Sequence, residues 1–246
     1  MRKIVQAAVL GVVVASGTPW VCGAPRTCGT PRTFGISRVS GIAWAQPKEL
    51  PAKIVTLGRP ADTYRKGTAG WAPAALRSEV AEGDSVRTQL GGRVTLLTAS
   101  GQAIRLGSRS QVALLTSDGG ANPGPTRVRL DSGWLWVAVS PGSAEPTHVE
   151  VRAGPAVVTV RGGGIGLRRN PDGALLVQAH HGTASVAASD RQWERTLTGP
   201  QELLVPAAGQ PGQPTKLTVD KLEATWIRWN ADQDFAGGYG GQKPEP

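Results

Sequence analysis

The feature that most constrains this chain is a succession of short segments, each bounded by glycine, proline, aspartate or serine. In one of them, TRVRL at 126–130, Val128 and Leu130 share one face of an extended chain while Arg127 and Arg129 share the other. The remaining segments, at 93–98, 102–106, 111–115, 134–139, 147–151, 156–160, 174–179 and 183–188, are likewise β-branched or alternate apolar with polar residues. This pattern predicts an all-β sandwich or roll of many short antiparallel strands.

One short helix is predicted near the C-terminus. Asp220 and Glu223 have the spacing of an N-cap and its capping box. Leu222, Trp226 and Trp229 then fall on one side at helical spacing. We expect this side to pack on the chain's own domain.

The two ends of the chain are predicted to lie outside the β domain. Arg2 and Lys3 precede an uncharged apolar stretch, which is the layout of a secretory signal peptide with cleavage expected after Ala24. The alternative is an uncleaved N-terminal anchor. We therefore expect export to the periplasm or cell surface, with no membrane span after cleavage. The predicted organisation is a signal peptide (1–24), a flexible Gly/Pro leader (25–52), the β domain (53–208), a linker and short helix (209–235) and a disordered tail (236–246).

Charge does not point to nucleic acid as a partner. The formal net charge is +9, but the first 45 residues hold five Lys or Arg and no acidic residue, so that the remainder carries +4. Basic residues there are scattered singly, and no helix-turn-helix, zinc or RNA-binding motif is present. We expect no specific nucleic-acid partner. The two cysteines, Cys22 and Cys28, lie in or beside the signal and predict no disulfide in the body.

Four blocks of sequence, in a fixed order, resemble the FecR domain. They are EGDSVRTQLGGRVTLLTASGQAIRLGSRSQVALL, RLDSGWLWVAV, HVEVRAGPAVVTVRGGGIGL and VQAHHGTASV, and the resemblance runs from about residue 80 to 186. The sequence departs from the family pattern at Gly163, where threonine is usual, and at Ile165, where an aromatic residue is common. The motif residues, which we interpret as structural, are Gly83, Asp84, Arg87, Thr88, Gly133, Arg161, Gly162 and Gly182. Asp84 is expected to accept hydrogen bonds from the backbone amides that follow it.

The resemblance implies a non-catalytic, exported cell-envelope protein that acts as a binding, scaffolding or signalling module. The best-known FecR proteins control a sigma factor through a cytoplasmic segment and respond to an outer-membrane iron transporter. No such cytoplasmic segment is seen ahead of the predicted signal peptide in this sequence, so we do not expect direct sigma-factor control. The expected partner is an envelope protein, and the alternative is a protein that binds or hydrolyses envelope polysaccharide.

No catalytic, metal or cofactor site is predicted. The histidines are His148, His180 and His181, and neighbours on a regular strand point to opposite faces, which would prevent the last two from chelating one metal. No catalytic motif contains the serines, histidines or aspartates. The competing hypothesis is a polymer hydrolase, which two carboxylates facing each other across a cleft would favour.

Trp134 and Trp136 are the candidate binding residues. They lie two apart, and therefore on the same face of a strand. Exposed, they would form a platform for sugar rings or an apolar partner; buried, they would be core residues. Burial would leave Leu135 and Val137 on the opposite face, so that the strand would be covered on both sides.

The glycine cluster in VVTVRGGGIG, at 157–166, is predicted to be a bend. Its glycines match neither the dinucleotide-binding pattern nor a P-loop, and they run into a short strand and the turn sequence NPDG at 170–173. Glycine here permits a positive φ, a bulge or a close backbone approach. We expect Gly162→Val to impair folding, and NPDG to join two strands as a hairpin.

Overall fold

The computed structural model describes residues 52–240, apart from 59, 116–124, 142–147 and 209. The predicted signal, nearly all of the predicted leader and residues 241–246 of the predicted tail lie outside the described residues. Among the described residues, no helix is both long and apolar enough to span a bilayer.

The described chain consists of β-strands followed by one helix, which confirms the predicted all-β class with a C-terminal helix. The elements are β1 (Ala52–Gly58), β2 (Ala61–Tyr64), β3 (Trp71–Pro73), β4 (Glu79–Val80), β5 (Ser85–Thr88), β6 (Arg93–Thr98), β7 (Ala103–Leu106), β8 (Gln111–Leu114), β9 (Thr126–Val139), β10 (Val149–Ala153), β11 (Ala156–Arg169), β12 (Leu175–Ala188), β13 (Glu194–Thr198), β14 (Gln201–Val205), β15 (Thr215–Lys216) and α1 (Lys221–Gly237).

The hydrogen-bonded strand order is β15, β14, β12, β11, β10, β9, β7, β6, β1 and β4, with β13, β2, β3, β5 and β8 branching from it. Almost all of these pairs are antiparallel, as predicted. The exception among the described strands is β10, which runs parallel to the first residues of β9. The predicted NPDG hairpin joins β11 to β12, where the amide of Gly173 donates to the carbonyl of Asn170 over 3.0 Å.

Three strands are much longer than the sequence pattern predicts. β9, β11 and β12 each have 14 residues, and each combines two segments that the glycines between them appeared to separate. Each also changes partners along its length: the first half of β11 pairs with β10 and its second half with β9. A strand that passes from one set of partners to another through a bulge forms a corner of a sandwich or roll.

Glycines stand at these corners. Gly133 in β9, Gly163 in β11 and Gly182 in β12 have φ values of 83°, 93° and 84°. A Cβ at Gly163 would collide with the carbonyl oxygen of His181 and the Cα of Gly182, so both the backbone angle and the close approach of β11 to β12 require glycine. Gly162 has no such restriction, because a Cβ there would meet only the Cα of Pro141, at 3.9 Å. The conformational constraint thus lies one residue beyond the position at which we expected it.

Strand β9 is covered on both sides. Leu135 and Val137 belong to the main core, which the β-strands and the segments that connect them supply. Trp136 and Ala138 face the other way and belong to a smaller cluster with Ala103 and Tyr239, against which α1 packs. The outer layer that contains α1 is therefore separate from the main core.

Asp84 caps two backbone amides, but these amides precede it in the chain, whereas we expected the amides that follow it. Its carboxylate accepts hydrogen bonds from the amides of Lys66, at 2.8 Å, and Ala81, at 3.0 Å, and the side chain is buried. Asp84→Ala would leave both donors without their acceptor, and we expect a loss of about 1–3 kcal/mol in the free energy of unfolding. Urea denaturation measures this loss. Asp172→Ala is the matched control, because exposed Asp172 accepts only the amide of Ala174; equal losses would contradict the assigned role of Asp84.

Candidate functional site

Helix α1 presents a polar face to the sheet, which is unusual for a helix that packs on its own domain. Glu223, Asn230 and Asp234 fall on one side of the helix and are buried. The apolar contacts from α1 are few and come from Trp226 and Ile227, while Phe235 is exposed. Charge and hydrogen bonding therefore contribute much of what holds this helix in place.

The C-terminal half of α1 is anchored through Asp234. The Asp234 carboxylate lies 2.5 Å from Nη1 of Arg105 on β7, and it accepts a hydrogen bond of 2.9 Å from Nε1 of Trp136 on β9. The side chain of Asp234 is 0% exposed and that of Arg105 is 4% exposed. Burial raises the pKa of Asp234, while Arg105 and the Trp136 indole act in the opposite direction. Beyond the helix, the Tyr239 hydroxyl donates to the carbonyl of Gly101 over 2.9 Å, although Tyr239 falls within the predicted disordered tail.

A second glycine of the cluster makes room for this anchor. A Cβ at Gly164 on β11 would lie 2.9 Å from Cζ2 of Trp136 and still closer to the Asp234 carboxylate. Gly164 thus leaves space for the side chain of Asp234 between β9 and β12. The sequence correctly indicated close approach at this cluster, and the group that approaches is a carboxylate of the same chain.

The two adjacent histidines lie on the same side of the sheet, contrary to the expectation for a regular strand. The pairing of β11 with β12 shifts between Gly164 and Ile165, which leaves His180 in a β-bulge. The His180 ring stacks at 4.7 Å from the Trp136 ring, and His181 Nε2 lies 3.7 Å from the Asp234 carboxylate. The argument from alternation is therefore wrong here. Even so, no group of three or more potential metal ligands occurs among the residues that the structure describes.

The environment of His180 predicts a specific loss of stability in acid. Burial, together with the neighbouring His181, lowers the pKa of His180 from 6.5 to about 4. Because the folded chain favours the neutral ring, this stabilisation is complete above about pH 6.5 and decreases as the pH falls towards 4. We expect unfolding free energies between pH 7 and 4.5 to fall about 1–2 kcal/mol further in the wild type than in His180→Phe, after allowance for partial exposure. Identical pH profiles from chemical denaturation would contradict this expectation. Asp234, with its raised pKa, contributes in the opposite direction in both proteins.

The N-terminal half of α1 borders a cleft of about 380 Å³. Glu223 forms an ion pair with Arg168 of β11, and the Arg168 guanidinium lies 4.9 Å from the Trp134 ring. On the helix side, Trp226 and Trp229 stack with their ring centroids 5.4 Å apart. The residues that line the cleft are Gly91, Arg93, Gly107, Ser108, Trp134, Arg168, Asp220, Glu223, Thr225 and Trp226.

The two candidate binding residues, Trp134 and Trp136, thus have different surroundings. Trp136 is 1% exposed beneath α1 and forms part of the helix anchor, whereas Trp134 is partly exposed and lines the cleft. In the cleft, the aromatic neighbour of Trp134 is Trp226 from α1. Arg93 lies 5.9 Å from the Trp226 ring and 5.3 Å from the Trp229 ring, so the cleft combines indoles with guanidinium groups.

The motif residues lie elsewhere and have structural surroundings. Arg87 pairs with Asp62 over 2.9 Å and stacks on Trp71, with 4.3 Å between the guanidinium carbon and the ring centroid. The Thr88 hydroxyl is buried and accepts the amide of Ser110, at 2.9 Å. Gly83 has a φ of 89° and Arg161 is exposed. None of these residues lines the cleft.

Comparison with known proteins gives a family match and two structural neighbours. Residues 84–185 match the family model described as FecR protein. No curated protein matches the sequence significantly. Two solved structures of a proposed anti-sigma factor from Parabacteroides distasonis, at 1.65 and 2.50 Å resolution, are each 15% identical in sequence with a TM-score of 0.48. The first alignment covers 58% of this chain and 64% of that one, and the second covers 63% and 74%.

Proposed function

Because residues 84–185 match the model of the FecR family, whose members are regulatory proteins, we propose that this chain is an exported, non-catalytic envelope module that binds a protein partner. The observation that carries the proposal is the cleft between α1 and the sheet. Trp134 and Trp226 line it from opposite elements, and Arg93 and Arg168 lie against the indoles. Tryptophan and arginine are the residues that most often dominate binding at protein interfaces.

The balance of charge in the cleft favours a protein over a polyanion. Arg93 and Arg168 are accompanied by Asp220 and Glu223, so the lining holds equal numbers of basic and acidic residues. A surface for nucleic acid would carry an excess of basic residues. Mixed charge around partly exposed indoles is typical of the polar rim and aromatic centre of a protein interface.

Glu223 is bonded to Arg168, which weighs against the competing hydrolase hypothesis because this carboxylate of the cleft has a structural partner. Asp220 precedes α1, and its backbone carbonyl accepts the amides of Glu223 and Ala224 at 3.0 and 2.9 Å. A glycosidase needs one carboxyl group able to protonate the leaving group and a second placed across the scissile bond. The crosslinking experiment described below distinguishes binding of a protein from binding of an envelope polysaccharide.

Export is tested by fusing alkaline phosphatase, which requires an oxidising compartment, to the C-terminus of the full chain. We expect activity in intact cells, and we expect it to disappear when residues 1–24 are deleted. Activity that does not depend on these residues would contradict the assigned signal.

Partner binding is tested by placing a photo-crosslinking amino acid at Thr225, which lines the cleft, in growing cells. Gln192, exposed in the turn before β13, is the control position. We expect a discrete crosslinked protein from Thr225 alone, and we expect Trp226→Ala to reduce its yield. Trp71→Ala is the matched control, because Trp71 also stacks with an arginine but lies outside the cleft. A crosslinked smear that shortens on polysaccharide digestion would support the polysaccharide alternative, and equal yields from Thr225 and Gln192 would overturn the assignment of the cleft.

A further inference from the structure

We propose that α1 occupies, within its own chain, a docking site for an acidic helix of the partner protein, and that the partner binds by displacing α1. This inference rests on the proposed function and names both the surface and the chemistry of the partner: the partner first contacts the cleft beside α1 and then takes the place of α1 on the sheet. The surface, which we call the helix-binding face, comprises Arg105, Trp136, Gly164, Arg168 and His181.

The helix-binding face presents two separated cations. Arg105 binds Asp234 and Arg168 binds Glu223, and the two carboxylates are eleven residues apart on α1. Eleven residues correspond to three helical turns, or about 16 Å. Guanidinium groups bind carboxylates with directional hydrogen bonds, so this face selects a helix with two acidic residues at that spacing. Trp136 adds a requirement, because its indole N–H donates to the carboxylate that Arg105 binds.

Helix α1 satisfies this face incompletely. Four buried polar atoms have no hydrogen-bond partner within the described residues, and all four belong to side chains at or beside this contact: Arg168 Nε, His180 Nε2, His181 Nε2 and Asn230 Oδ1. A buried donor or acceptor without a partner is unfavourable. Three of these atoms, on Arg168, His180 and His181, belong to the sheet, and a helix that supplied groups to them would bind the face more tightly than α1 does.

Displacement of α1 would leave the main core intact. No described side chain of α1 belongs to the main core, and those that are described share only the small cluster around Trp136. Between β14, which ends at Val205, and α1, which begins at Lys221, the described residues form no regular element except the two-residue strand β15. This segment can serve as a tether. The family match at 84–185 contains the whole helix-binding face but ends before α1.

Displacement of α1 would also expose both Trp134 and Trp136. With α1 in place, Trp136 is buried and Trp134 lines the cleft. Without α1, both indoles would face the partner between Arg105 and Arg168. A single event would thus convert a buried polar contact into an aromatic and cationic surface.

The test uses a labelled synthetic peptide of residues 220–240 as the acidic helix, and the full chain as the receptor. The receptors are the wild type and the double variant Glu223→Gln/Asp234→Asn, which weakens the internal helix and keeps both arginines. We expect the peptide to bind the double variant about tenfold or more tightly than the wild type, because the fraction of open face is larger. The matched control peptide carries glutamine for Glu223 and asparagine for Asp234, and it should not bind. Arg105→Gln/Arg168→Gln in the receptor should abolish binding.

A replacement receptor variant and a sedimentation measurement complete the test. If the double variant does not fold by circular dichroism, Ile227→Ala replaces it, since Ile227 packs on the small cluster around Trp136 without lining the cleft, and the change loosens α1 without altering the two arginines. Equal binding of the acidic and neutral peptides, or no binding to either loosened receptor, overturns the proposal. A concentration-dependent dimer in sedimentation, dissolved by excess peptide, would assign the face to α1 of a second copy and overturn the partner helix. These results are independent of crosslinking at Thr225, so the displacement mechanism and the proposed function can fail separately.

Discussion

Replacing Gly163 by alanine is expected to destabilise the chain severely or prevent folding, whereas the same change at Gly162 is expected to be tolerated. Gly163 has a φ of 93°, and a Cβ there would collide with backbone atoms of His181 and Gly182. Backbone strain of this kind costs about 1–3 kcal/mol, and the forced separation of packed strands adds a similar amount, so we expect a loss of about 2–6 kcal/mol.

The neighbouring position supplies the control. A Cβ at Gly162 would meet only the Cα of Pro141, in ordinary contact, and its φ is not in the left-handed region. We expect Gly162→Ala to change the unfolding free energy by less than about 1 kcal/mol. Urea denaturation followed by tryptophan fluorescence compares both variants with the wild type. Comparable losses at the two positions would show that the cluster requires glycine for a reason other than the geometry of Gly163.

Only part of the β-structure follows from the sequence. Strand β6 has the predicted limits, because it is rich in apolar and β-branched residues and turns bound it on both sides. The long strands were predicted as pairs of short ones, since glycine is usually a strand terminator. In β9, β11 and β12 the glycine instead allows a corner within a continuous strand. Composition alone does not distinguish these two roles, because the difference lies in which strands pair on either side.

The candidate site was much harder to predict than the fold. Arg105 and Asp234 are 129 residues apart in sequence, and neither belongs to a local motif. Asp234 lies on a helix whose polar residues would ordinarily indicate a solvated face. Its burial depends on Gly164, which removes a side chain from β11 at the point of contact. Only the pairing of elements from both ends of the chain brings these residues together.

The histidine pair illustrates a different limit. Alternation along a strand assigned His180 and His181 to opposite faces, but a bulge in β12 brings both against Trp136 and Asp234. A single inserted residue reverses the side of every following side chain. The resemblance to the FecR domain, by contrast, located the family match accurately, since it depended on the order of four blocks and not on the geometry of any one residue.

Removing the carboxylate of Asp234 is expected to release α1 from the sheet while the β-domain stays folded. Asp234→Ala would leave the guanidinium of Arg105 buried without its counter-ion and the Trp136 indole without its acceptor. Breaking a buried ion pair by removing one partner costs about 3–5 kcal/mol. Because the described side chains of α1 contribute nothing to the main core, the helix can leave the sheet, and the arginine then regains water.

Hydrogen exchange measures this release directly. We expect amides in the helix at 225–237 to lose about 100- to 1000-fold of their protection, while amides in β6 and β11 keep theirs. The control is Arg105→Met/Asp234→Leu, which replaces both charges by apolar groups of similar size and should restore most of the protection, since a buried pair exchanged for packed apolar side chains is often neutral or stabilising. Uniform loss of protection across helix and strands would show instead that α1 and the β-domain unfold as one cooperative unit, and it would remove the basis for displacement of α1 by a partner helix.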